Sequence, residues 1–110
     1  MDKLSLVATA REQSKRAHEG AQGRAAKTVY GGHDRSLRQT VIALNAGSTL
    51  AEHENPGEAT VHVLVGRVRL DCARARWEGR PGDLIVVPQE RHSLEALEDS
   101  AVLLTVAKLG

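Results

Sequence analysis

His53-Glu54-Asn55-Pro56-Gly57-Glu58-Ala59-Thr60-Val61-His62-Val63-Leu64-Val65-Gly66 decides how this chain is read. It places a histidine before a Pro-Gly turn and follows the turn with a run rich in β-branched residues that ends on glycine. Along that run, residues 59, 61, 63 and 65 share one face, and they read Ala, Val, Val, Val. An all-apolar face of this kind is the lining of a β-sheet interior. A second stretch, Pro81-Gly82-Asp83-Leu84-Ile85-Val86-Val87-Pro88-Gln89-Glu90-Arg91-His92, repeats the plan in reverse order, with an apolar strand between Gly82 and Pro88 and a histidine after it.

Working outward, strand signals continue on both sides. Residues 38–44 alternate and close on an Asn45-Ala46-Gly47 turn, and residues 50–55 form the strand before Pro56-Gly57. The stretch 67–72 alternates strictly, with Val68, Leu70 and Cys72 on one face and charges on the other, and residues 75–78 return as its hairpin partner. Residues 93–96 and 101–107 complete the set across a Glu98-Asp99-Ser100 turn. Short strands at roughly 8–12-residue spacing predict a closed or sandwiched all-β fold. Ahead of them, residues 4–19 carry helical spacing with Gly20 as a stop, residues 20–27 read as a Gly/Ala-rich loop, and residues 28–30 as a short strand. The apolar stripe of the helix is short, which suits packing on the sheet or on a second subunit.

At 110 residues the chain makes one domain. Aromatic residues are 2% of it, Tyr30 and Trp77 with no Phe, so the core is built from Val, Leu, Ile and Ala. The same scarcity removes the stacking platforms used to bind single-stranded nucleic acid. Fifteen basic and 14 acidic residues balance to a net charge of +1, which selects no partner, nucleic acid included. A single cysteine, Cys72, permits no intramolecular disulfide. No run approaches the ~18 apolar residues of a membrane span, and no secretory leader is visible at Met1. The expectation is a cytoplasmic protein with no membrane partner.

The two quoted stretches resemble the paired motifs of the cupin family. The first motif runs His, any residue, His, three or four residues, Glu, six residues, Gly. The second runs Gly, five residues, Pro, any residue, Gly, two residues, His, three residues, Asn. Counted back from Gly66, the glutamate position falls on Ala59, the second histidine position on Asn55 and the first on His53. In the second motif Gly82 and Pro88 fit, Glu90 stands where glycine is usual, His92 comes one residue early and Ala96 takes the final Asn position. The resemblance covers residues 38–107. It implies an all-β cupin, or jelly-roll, barrel over residues 37–110, with residues 1–36 as an N-terminal helix and linker arm of the same single domain.

The resemblance also implies a site inside the barrel. Of the four family metal ligands only His53 and His92 remain, so it implies one divalent metal (Zn, Fe, Mn or Ni) held weakly or absent. Asn55 offers only a neutral carbonyl oxygen. Two readings of Glu58 stand open: a third metal ligand carried inward by the Pro56-Gly57 turn, or a solvated loop residue. The expected ligand-binding set is His53, Asn55, Val61, Val63 and His92. His62 has the opposite parity and reads as an exterior or dimer-contact residue. Cys72 reads as a small buried apolar residue.

The function expected is a small molecule or a weakly held metal bound in the barrel interior. The alternatives are a metal-dependent enzyme of dioxygenase, isomerase or decarboxylase type, a metal-free histidine acid–base enzyme, and an effector-binding accessory protein in regulation. A homodimer is expected, because small cupins commonly pair and a short barrel leaves edges that need covering.

Overall fold

The structure is a computed structural model that describes residues 3–53 and 57–108, with residues 51–53 described in backbone only. One helix, α1 (Leu6–Glu19), precedes nine strands: β1 (Arg24–Tyr30), β2 (Leu37–Leu44), β3 (Thr49–His53), β4 (Gly57–Val65), β5 (Val68–Cys72), β6 (Arg76–Gly79), β7 (Leu84–Val86), β8 (His92–Ala96) and β9 (Ser100–Lys108). All pairings are antiparallel. A five-stranded sheet runs β1-β2-β9-β4-β7 and a four-stranded sheet runs β3-β8-β5-β6. The chain is all-β apart from α1, as the strand signals predict.

Alternation builds the core. Ala59, Val61 and Val63 on β4, Val68 and Leu70 on β5, Leu94 and Ala96 on β8, and Val102 and Val106 on β9 face one another between the sheets. This interior holds no aromatic ring among its buried residues. A glycine makes the sharp β4–β5 turn possible. Gly66 has φ +82, and a side chain there would strike the Asp99 carbonyl as well as Ser100.

The N-terminal region departs from the expected pattern. Residues 24–27, read from sequence as loop, begin β1, paired Arg24↔Leu44 through Lys27↔Val41. Arg-Ala-Ala-Lys has little strand propensity of its own, and the edge of β2 supplies it. α1 starts at Ser5, whose side chain accepts a hydrogen bond from the Ala8 N–H at 3.1 Å, and ends at Gly20. Its small buried residues Ala10 and Ala17 bring it onto the outer face of the larger sheet, where Ala10 packs with Val41, Ala101 and Leu103. Gln13 is buried in the same contact, and neither its amide nitrogen nor its amide oxygen has a hydrogen-bond partner.

Candidate functional site at the His92 end of the barrel

His92 opens β8, where strand alternation puts it in register with the inward residues Leu94 and Ala96. It is 6% exposed. Its Nδ1 lies 2.9 Å from the Glu90 carbonyl oxygen. A carbonyl only accepts, so Nδ1 carries the hydrogen in this contact. Around the imidazole is a small cavity of about 30 Å³ lined by Ile42, Leu50, Val61, Leu70, Val87, Leu94, Val102 and Leu104. His92 is the one polar side chain among these described lining residues. A cavity of that volume holds about one water.

Register extends the site across the four-stranded sheet. His53 pairs with His92 on one side, and Cys72 pairs with His92 on the other. Three strands therefore place His53, His92 and Cys72 on one rung. Glu90 bridges from the loop above. Its carboxylate accepts from Arg74 Nη2 at 3.0 Å, while the Cys72 thiol donates to the Ala75 carbonyl at 3.5 Å. Arg74 and then Cys72 hold this carboxyl below the usual carboxylate range, and Glu90 in turn raises Arg74.

The expected site residues divide. Val61 lines the cavity with His92. Val63 is fully buried in the same core but is not part of the described lining. His53 is placed by backbone pairing alone, and Asn55 lies outside the described residues. Glu58 is not brought to His92. β4 begins at Gly57, so parity groups Glu58 with Thr60 and His62, and it is exposed in a groove with Thr60, Val86 and Gln89. His62 is half-buried on that outer series, opposite Leu84 and Leu103. Cys72 and Glu90 were not expected near His92. The parity of Cys72 with Leu70 was visible in the sequence, but which strand pairs with β5 was not.

No family model matches the chain, and no curated protein matches it by sequence. Solved structures do. A conserved protein of unknown function from Streptococcus pyogenes is 27% identical, covering 83% of this chain and 79% of that one, with a TM-score of 0.73. An RmlC-like cupin from Desulfovibrio desulfuricans is 22% identical over 97% of this chain and 96% of its own, TM-score 0.74. A cupin superfamily protein from Desulfitobacterium hafniense is 16% identical over 78% of each chain, TM-score 0.72. The chain has the cupin fold.

The donor set of this cupin barrel can be tested against the metal that the fold implies. Among the described residues no three His, Cys, Asp or Glu side chains group in a way that could hold a metal ion. Ala59, buried at the family's glutamate position, has no donor atom. Glu58 is exposed on the other series. Of the sequence-predicted ligands, His92 is the one described facing the cavity, and the His53 side chain and Asn55 lie outside the described residues. Among them, too, no helix is long and apolar enough to cross a membrane.

Proposed function

We propose that this cupin barrel binds a small, largely apolar molecule at the His92 end, with His92 as the polar contact and His53 as its neighbour across β3 and β8. One observation carries the reading: a buried imidazole faces a cavity whose other described lining residues are all aliphatic. Apolar walls with a few convergent polar groups are the common form of a ligand site. Val61, Leu70 and Leu104 supply the walls, and the imidazole supplies orientation. The cavity of about 30 Å³ admits no more than a few atoms. A larger ligand enters only when that end of the barrel opens.

Nuclear magnetic resonance of the histidine-labelled protein tests this. Isobutanol, phenol and benzoate serve as probes, and Zn²⁺ as the metal probe. The expected result is that at least one organic probe shifts the His92 ring and the Val61 and Leu104 methyls together, that His92→Leu abolishes the ring-dependent selectivity, and that equimolar Zn²⁺ shifts neither. Silence of His92 toward every organic probe overturns the reading. Tight Zn²⁺ binding that shifts His53 and His92 together replaces it with a metal site.

A further inference from the structure

The segment from Pro88 to Arg91 leaves β7 in the larger sheet and enters β8 in the smaller one, so it crosses the barrel end above His92. It is fastened on both sides. On the larger-sheet side the Val87 N–H donates to the Ala59 carbonyl at 3.0 Å, and Gln89 Nε2 donates to the Gly57 carbonyl. On the smaller-sheet side the Glu90 carboxylate accepts from Arg74 Nη2 at 3.0 Å, in the turn of the β5–β6 hairpin. Between the two fastenings the Glu90 carbonyl accepts from His92. The fastenings are unlike the core beneath them. Arg74 is 84% exposed, so water readily replaces its contact with Glu90.

We infer that Gln89 and Glu90 form a strap that closes the His92 cavity and opens by releasing the Arg74 clasp, so that the strap sets what reaches His92. Glu90 is central to this device. A glycine at that position, usual in the motifs this chain resembles, has no carboxylate to reach the hairpin. Val87, the last residue before the strap, and His92, the first after it, both line the cavity, so displacing the strap moves two of its walls. The inference takes from the proposed function only the identity of what enters. The strap itself is testable without any ligand.

The test is the rate at which diethylpyrocarbonate modifies His92, read by peptide mass spectrometry, with the half-buried His62 on the sheet exterior as internal reference. The Gln89→Ala/Glu90→Ala double variant should modify His92 about tenfold faster, with His62 unchanged. Arg74→Ala alone should give roughly threefold, since it removes one exposed pair. Glu98→Gln, which breaks the Arg67–Glu98 pair at 3.4 Å at the opposite barrel end, should leave His92 at the parental rate. An unchanged His92 rate in a double variant that melts like the parent overturns the strap. Should the double variant fail to fold, Arg74→Ala decides the matter, because its exposed side chain can be removed without touching the core. A faster His92 with no probe bound by nuclear magnetic resonance leaves the strap standing and removes the ligand reading.

Discussion

The two ends of this barrel close by different means. At the end where β4 turns into β5, the closing groups are turn backbone and the buried Ser100 hydroxyl, together with the exposed Asp99 carboxylate. The Ser100 hydroxyl, 2% exposed by residue, accepts from the Arg67 N–H at 3.0 Å and donates to the Glu98 carbonyl at 2.7 Å. The Leu97 N–H donates to the Arg67 carbonyl at 2.9 Å, and the Ala46 N–H donates to Asp99 Oδ1 at 2.8 Å. At the His92 end, the closing groups are long side chains: Gln89, which donates to the buried Gly57 carbonyl, and Glu90, which is paired with the exposed Arg74. Opening the first end would strand buried N–H and C=O groups, each costing about 1–3 kcal/mol. Opening the second releases the exposed Arg74–Glu90 pair to water and also breaks the part-buried Gln89–Gly57 bond. The difference makes the second end the easier one to open, and that end carries the buried His92.

The strongest way to break the comparison is to attack the rigid end. Gly66→Ala forces a side chain into positive φ and against the Asp99 carbonyl, and it should destabilise the fold by more than about 3 kcal/mol in chemical denaturation. A near-neutral result would mean that this end also yields. Ser100→Ala follows, at about 1–3 kcal/mol, because it leaves the Arg67 N–H without its acceptor in a buried turn. The same alanine replacement at Arg74 should change stability less than either, since that side chain faces water.

The helix contact sharpens the point. α1 is held to the larger sheet near the rigid end, where Asn45 Nδ2 donates to the Ala17 carbonyl at 3.1 Å. Midway along it, Gln13 is buried with both amide atoms unpartnered. Replacing that amide by an apolar side chain of similar size removes a desolvation cost and keeps the packing. Gln13→Leu should therefore stabilise the protein by about 1–2 kcal/mol, seen as a higher denaturation midpoint at an unchanged slope. Destabilisation would show that the amide has partners.

How much of this was legible in the sequence follows from the range of each interaction. The alternation of residues 67–72, the apolar face of residues 59–63 and the glycine at 66 are local patterns, and they place the strands and the inward row that contains Val61; Val65, read with that face, is instead 48% exposed, because the pairing with β9 shifts register after Val63. Local pattern also places His62 outward. The extension of β1 back to Arg24 was not legible, because Arg-Ala-Ala-Lys becomes a strand only beside β2. The same holds for the site. His92 could be set facing inward by its motif, but its neighbours Cys72 and Glu90 depend on which strands pair and on a loop held by contacts 16 residues apart in sequence. Glu58 turned on a single local question, whether Pro56-Gly57 interrupts the strand. β4 begins at Gly57, and parity then settles the outward placement.

The smallest effect is the most diagnostic of the difference between the ends. Glu90 has its carboxyl held below the ordinary range, first by Arg74 and then by Cys72. A carboxyl lowered on folding contributes stability that is fully present above its unfolded pKa, and this is lost as pH falls through the folded value. The parent should thus exceed Glu90→Gln in stability at neutral pH by a margin smaller than any above, and the two should converge as the pH drops below the normal carboxylate range. The Ser100→Ala deficit should stay constant over the same window, since the hydroxyl, the Arg67 N–H and the Glu98 carbonyl that it joins do not titrate there. Thermal melts of the three proteins at neutral and acid pH read both margins at once. A Glu90 margin that ignores pH would show that the strap is held by packing rather than by charge, and the two ends would then differ only in degree.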